Sequence, residues 1–170
     1  KIITRHDVTV RPVIITIPFL KDVIQKYEWE LPGNTLIIDS PIEKLNVFAA
    51  SQAAIAKSGT GTLELSLAKV PLVVAYKINI ISYLMIKLFV KVKYVNLQNL
   101  VIDKEIIPEF LQNKCKAHLL AESTLKLLKG DDEAKKQIDA ALEALTKLGF
   151  GSDLAPSVKA ANVVLDIINQ

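Results

Sequence analysis

Apolar residues fall in short dense runs separated by polar turns. The run over residues 10–17 is rich in β-branched side chains and stops at Pro18, which predicts a buried strand. A helix is expected over residues 19–29. Leu31, Pro32, Gly33 and Asn34 then read as a turn, because proline presets φ and glycine supplies a positive one. Residues 35–39 predict a second short strand. Ser40 as N-cap and Pro41 in the first helical position open a helix through Ala49. Residues 53–56 predict a third strand. A loop over residues 57–60 leads to a helix over 61–68, and residues 72–76 predict a fourth strand.

Short apolar strands alternating with helices imply an α/β fold, a Rossmann-like parallel sheet with helices on both faces. After Tyr76 the character changes, and the strands largely stop. Residues 80–92 predict a helix, and residues 94–100 are irregular or a short strand. The rest reads as a helical tail: about 108–112, 116–129, 131–148 and 157–169. Asp131, Asp132 and Glu133 put acid in the first turn of one of these helices, where the dipole favours it, and Gly149 ends it. The organisation expected is a Rossmann-like domain over 1–112 and a helical extension over 113–170 packing on the same fold. The chain opens at Lys1 close to a strand, and we read it as part of a longer protein.

Composition narrows the class. Of the 170 residues, 51% are hydrophobic and 23% charged, which is globular. The mean hydropathy of +0.32 points to buried strands, a partner surface or membrane contact. A net charge of +3, sparse aromatics and only Arg5 and Arg11 as arginines argue against a nucleic-acid partner. Cys115 stands alone, so no internal disulfide forms. His6 and His118 lack ligand partners at motif spacing, so no metal is expected. The charge-free stretch 78–86 is far short of the roughly 20 residues that a membrane span needs.

Candidate chemistry concentrates in Ser58, Gly59, Thr60, Gly61 and Thr62, between a predicted strand and a predicted helix. Ligands of open parallel sheets bind outside the carboxyl ends of the strands. Two glycines let backbone approach a ligand closely. The helix behind them offers unpaired N–H groups and a positive dipole end, which suits a phosphate or diphosphate. An ordinary strand-to-helix turn with a hydroxyl cap fits the same residues. No lysine follows Gly61, so this is not a Walker loop, and neither G-x-G-x-x-G nor G-x-S-x-G is present. Glu64, one turn further on, would repel a diphosphate, but it could accept hydrogen bonds from a ribose or sugar hydroxyl. A favourable interaction with the helix dipole is the plainer reading.

The helix over 80–92 also admits two readings. Ile81, Leu84, Met85, Leu88 and Val92 share a face, Ile86, Phe89 and Val90 extend it, and Lys87 and Lys91 form a narrow cationic stripe. Such a helix is buried in a core or partner, or lies on an anionic lipid surface.

Lys57 through Glu64, followed by Ala68 through Tyr76, resembles the S-G-T-x-T-L-E…P-x-V-V-x-Y signature of lipid-A-disaccharide synthases. Leu88 to Tyr94 resembles the family's next segment. Val95, Asn96, Leu97, Gln98, Asn99 and Leu100 resemble its V-S-L-P-N-L, with Gln98 in place of proline. Ile107 to Gln112 resembles its V-P-E-L-L-Q. Order and spacing agree over about residues 11–112. The family's N-terminal half and its L-P-G-S-R loop have no counterpart in this chain.

The resemblance implies part of the C-terminal half of a GT-B glycosyltransferase. That enzyme would transfer 2,3-diacylglucosamine from its UDP donor to 2,3-diacylglucosamine 1-phosphate, with no metal or other cofactor. It would work in the cytoplasm, peripherally on the inner face of the bacterial inner membrane. The carry-over gives Ser58, Gly59 and Thr60 to the diphosphate and Glu64 to the ribose. Asn99, Glu109 and Gln112 fall near the donor sugar or cleft, with capping and loop bonding as their alternative roles. The turn at Asp39, Ser40 and Pro41 falls near uracil. The general base is expected in the other half, and the 170 residues alone are expected to be inactive. Two other readings stay open: another UDP-sugar GT-B enzyme of the peptidoglycan type, and a non-catalytic nucleotide-binding or interaction module.

Overall fold

The structure is a computed structural model that describes residue 3 and residues 10–27, 30–89, 92–130 and 132–168, with backbone alone at 86–89 and 156. His6, Asp131, residues 28 and 29 of the first expected helix, residues 90 and 91 of the fourth, and Asn169 of the last therefore lie outside the described residues.

Three strand–helix units come first. β1 (Val13–Ile15) leads to α1 (Pro18–Gln25), β2 (Leu36–Ile38) to α2 (Pro41–Ala50), and β3 (Ala54–Ala56) to α3 (Thr60–Leu67). The first two helices start for local reasons. Pro18 and Pro41 occupy first-turn positions that need no N–H donor. Ser40 caps α2, its hydroxyl accepting the Glu43 N–H. β4 (Leu72–Tyr76) follows, then α4 (Ile80–Phe89), α5 (Leu97–Ile102), β5 (Glu109–Leu111), a 3₁₀ turn at Gln112–Lys114, α6 (Ala117–Leu128), α7 (Asp132–Lys147) and α8 (Pro156–Ile168).

Every strand pairing is parallel. β1 pairs with β2, and β4 lies between β3 and β5. The single sheet expected from the sequence is thus divided into two ladders. Three-residue strands offer few backbone groups for pairing, and side-chain packing links the two, with Ile15 of β1 against the core of the larger sheet.

β4 explains why both faces are covered. Leu72 and Val74 point into a cluster with Phe48, Leu65, Val70 and Ile107. Val73, pointing the other way, meets Leu127 of α6 and Ala134 of α7. All three are at most 1% exposed, as alternation requires of a strand buried on both faces. α7 also reaches the amino end of β4, where the buried Gln137 accepts the Leu72 N–H at 2.6 Å.

Two expectations after Tyr76 are corrected. Residues 94–100 were read as irregular or strand, yet α5 begins at Leu97. Asn96 caps it, its side-chain oxygen accepting from the N–H groups of Gln98 and Asn99. Residues 108–112 were read as helical, yet Glu109–Leu111 is a strand. Five residues cannot sustain a helix unaided, and the free edge of β4 supplies a ladder, with Val74 opposite Glu109 and Tyr76 opposite Leu111. Pro108 precedes the strand, where its carbonyl accepts the Val74 N–H at 2.8 Å. No described helix is long and apolar enough to cross a membrane.

Replacing Gln137 by leucine leaves the Leu72 N–H buried without a partner. We predict a loss of about 1–3 kcal/mol, read as a lower urea midpoint at unchanged slope. An unchanged midpoint would show that α7 holds β4 by apolar contact alone.

Candidate functional site

β3, β4 and β5 run in register and end on one edge, at Ala56, Tyr76 and Leu111. The loops leaving this edge carry most of the residues singled out by the sequence.

The loop after β3 turns abruptly at Gly59. Its φ of 155° and ψ of −168° lie in a region essentially restricted to glycine. α3 then starts at Thr60 with no side-chain cap. The Thr62 N–H bends back to the Gly59 carbonyl, and the N–H groups of Thr60 and Gly61 meet no acceptor among the described residues. Two hydroxyls fix the loop from within. Ser58 donates to the Val95 carbonyl at 2.9 Å. Thr62 donates to the Gly59 carbonyl at 2.7 Å and accepts from Asn96 Nδ2 at 3.1 Å. The result is a helix N-terminus whose exposed Thr60 and free N–H groups can receive an anion.

Glu64 is the fifth residue of α3, past the first turn, so the helix dipole gives it little. Its Oε2 lies 2.6 Å from Lys44 Nζ on α2, and both side chains are partly exposed. Lys44 also lies over its own helix neighbour Phe48, with the ammonium 5.6 Å from the ring centre. Lys44 was missed by sequence reading because nothing in its local pattern links it to a helix sixteen residues later.

The second wall is a polar network. Asn99 is fully buried, and every polar atom of its side chain is engaged. Its Oδ1 accepts the N–H groups of Ile106 and Ile107 at 3.0 and 2.9 Å. Its Nδ2 donates to the Ile107 carbonyl and to Glu109 Oε1, both at 2.8 Å. The Glu109 carboxylate also accepts the N–H groups of Val95 and Asn96, at 2.8 and 2.9 Å. Gln98, buried beneath, donates to the Ser66 hydroxyl. The network therefore runs from the Ser58–Thr62 loop through Asn96 and Glu109 to Asn99.

Gln112 follows β5 directly, with a left-handed φ of 46°. Its side chain accepts the Ile78 N–H and donates to the Ile78 carbonyl, which ties the loops after β4 and β5 together. Beside it opens a cavity of about 380 Å³ lined by Lys77, Gln112, Asn113, Cys115 and Lys116. Lys57 lies over the Tyr76 ring at 5.3 Å. At the other ladder, Asp39 pairs with Lys21 at 3.0 Å. His118 is exposed, and no group of three or more histidine, cysteine or acidic side chains gathers among the described residues.

The geometry thus brings Ser58, Gly59, Thr60 and Glu64 together around one helix end. Asn99 and Glu109 stand behind that end and bind the chain itself, and Gln112 binds the neighbouring loop. Asn96 and Thr62 join them. The signal that could have found Asn96 is an asparagine directly before a helix start.

Residues 9–163 match the family described as lipid-A-disaccharide synthetase. The chain belongs to the lipid-A-disaccharide synthetase family. It is 46% identical over 122 residues to the lipid-A-disaccharide synthase of Rickettsia prowazekii (strain Madrid E), covering 72% of this chain and 32% of that protein. Identity to the Rickettsia felis protein of the same name is 40% over 147 residues, 86% of this chain and 35% of the relative. With the Rhodospirillum centenum protein, also of that name, it is 39% over 160 residues, 93% and 39%. The chain therefore spans about a third of the length of the curated relatives it matches.

For this family member the buried network yields a stability prediction. Asn99→Leu leaves the N–H groups of Ile106 and Ile107 without acceptors, at an expected cost of about 2–4 kcal/mol. Urea denaturation measures the loss, and hydrogen exchange should accelerate at those two amides first. Wild-type protection at Ile106 and Ile107 in the variant would contradict the assignment.

Proposed function

We propose that this chain supplies the donor-binding part of a lipid-A-disaccharide synthase. The enzyme transfers 2,3-diacylglucosamine from its UDP donor to 2,3-diacylglucosamine 1-phosphate, and releases UDP. The observation that carries this reading is the uncapped start of α3. Gly59, Thr60 and two free N–H groups stand at the carboxyl edge of a parallel sheet, with Glu64 one turn behind. Breaking the glycosidic bond builds negative charge on the departing diphosphate. Fixed N–H dipoles aimed at that charge stabilise the transition state without having to reorganise.

In this reading Ser58, Gly59 and Thr60 hold the diphosphate, and Glu64 accepts hydrogen bonds from the ribose. Asn99 and Glu109 act as positioning residues that hold the wall beside the loop, and Gln112 fixes the rim near the sugar. Residues 1–112 form the donor domain and 113–170 its helical extension. Transfer also needs a base within hydrogen-bond reach of the acceptor hydroxyl. We place that base in the part of the family's length that this chain does not span.

The acceptor and donor carry acyl chains, which favours work at a lipid surface, the inner face of the bacterial inner membrane. α4 supports this. Ile80, Ile81, Leu84 and Met85 are each more than half exposed, so within this chain α4 does not turn that face into the core. Between Glu64 and Asp103 the chain carries Lys69, Lys77, Lys87, Lys91 and Lys93 and no acidic residue, a charge pattern suited to anionic lipid.

Titration calorimetry with UDP tests the donor site. Glu64→Ala should weaken binding by about 1–3 kcal/mol, the scale for losing hydrogen bonds to a charged group. Unchanged affinity in a folded variant would remove Glu64 from the ribose. The same 170-residue polypeptide, given donor and acceptor, should form no disaccharide; turnover above the no-enzyme control would place the base within these residues.

Replacing Ile81, Leu84 and Met85 together by serine should reduce co-sedimentation with phosphatidylglycerol vesicles, because buried apolar area drives interfacial binding. Equal sedimentation of variant and wild type would assign that face to a protein partner.

A further inference from the structure

A carboxylate beside a diphosphate site poses an electrostatic difficulty. Glu64 stands one turn behind the free N–H groups of Thr60 and Gly61. A bound diphosphate at that helix end carries at least two negative charges, and an uncompensated carboxylate nearby would oppose it. Like charges one helical turn apart repel each other even in water, and more where solvent is displaced.

We propose that Lys44 is a positioning residue of the donor site, holding Glu64 in place and cancelling its charge toward the diphosphate. This inference rests on the donor-site reading above. Three observations carry it. The Lys44 ammonium lies 2.6 Å from Glu64 Oε2, near the closest approach that such an ion pair allows. The pair joins two helices, α2 and α3, so it fixes the carboxylate from outside its own helix. The contact falls on Oε2, which is shut off from solvent and accepts no hydrogen bond, so Lys44 holds it by charge, and no hydrogen bond to Oε1 is made among the described residues. One oxygen is thus held while the other stays free to accept from a ribose hydroxyl.

The environment of Lys44 favours a fixed ammonium. It lies against Phe48, which is itself in the core, with the ammonium 5.6 Å from the ring centre. The side chain is 30% exposed, against 40% for Glu64, so the pair is partly shielded from water. A lysine anchored in this way loses less conformational freedom on pairing than one free in solvent. The pairing also explains how a glutamate can serve beside an anion: the diphosphate meets ammonium and carboxylate as a locally neutral pair.

The test separates charge cancellation from simple structural support. UDP and uridine are titrated calorimetrically into wild type, Lys44→Met, Lys44→Arg, Glu64→Gln and the double variant Glu64→Gln/Lys44→Met. Lys44→Met should lose about five- to tenfold in UDP affinity but at most about twofold for uridine, which carries no diphosphate. The UDP deficit should shrink at high salt, where the charges are screened. Lys44→Arg should restore most of the affinity. In the Glu64→Gln background, loss of Lys44 should cost uridine nothing further, because no carboxylate remains to hold, while the UDP loss persists, because the lysine charge acts on the diphosphate whatever its partner. Equal loss for UDP and uridine overturns the proposal, as does wild-type UDP affinity in Lys44→Met or a further uridine loss from Lys44→Met in the Glu64→Gln background. A wild type that binds neither ligand overturns the donor-site reading itself, and this inference with it. Thermal melts of each variant confirm folding, which a partly exposed lysine should not endanger.

Discussion

The buried amide of Asn99 is the interaction on which the carboxyl edge of the larger sheet depends. It takes two backbone N–H groups from the approach to β5 and gives its own protons to a backbone carbonyl and to Glu109. Glu109 in turn holds the backbone of residues 95 and 96, and Asn96 reaches Thr62 in the first turn of α3. Local backbone geometry at Gly59 and a network reaching fifty residues downstream therefore meet in one loop. Every polar atom of the Asn99 side chain is paired, and an orphaned donor in its place would cost more than a made bond returns.

This dependence shows why α5 and β5 escaped sequence reading. α5 buries Gln98 and Asn99, where an amphipathic pattern would place apolar residues. Its start is set by Asn96, and its end by Asp103 in a left-handed conformation. β5 is three residues long and has no alternation to display. It exists because β4 offers an unpaired edge and because Asn99 delivers the chain to that edge. Long-range pairing overrides local preference in both cases.

The charges around the site follow a similar division. A loop of glycine and hydroxyl residues before a helix is visible in a sequence, and so is a glutamate one turn beyond it. That the glutamate faces a lysine from the preceding helix is not visible, since α2 and α3 meet only after β3 has turned the chain. α4 offers the converse case. Its apolar character was plain, but whether that face was buried required the tertiary arrangement, which leaves its described apolar side chains exposed.

What the sequence by itself determined is the alternation of short apolar strands with helices, the starts of α2 and α3, and the gathering of Ser58, Gly59 and Thr60 in one turn with Glu64 a helical turn beyond. These rest on contacts within a few residues: a proline that needs no N–H, a hydroxyl that caps, a glycine that accepts an unusual backbone. What only the tertiary structure decided is the division into two ladders, the strand at Glu109–Leu111, the burial of Asn99 and the pairing of Lys44 with Glu64. Each of those joins segments far apart in the chain, and the energy that selects them comes from burial and from satisfying polar groups that no local window contains.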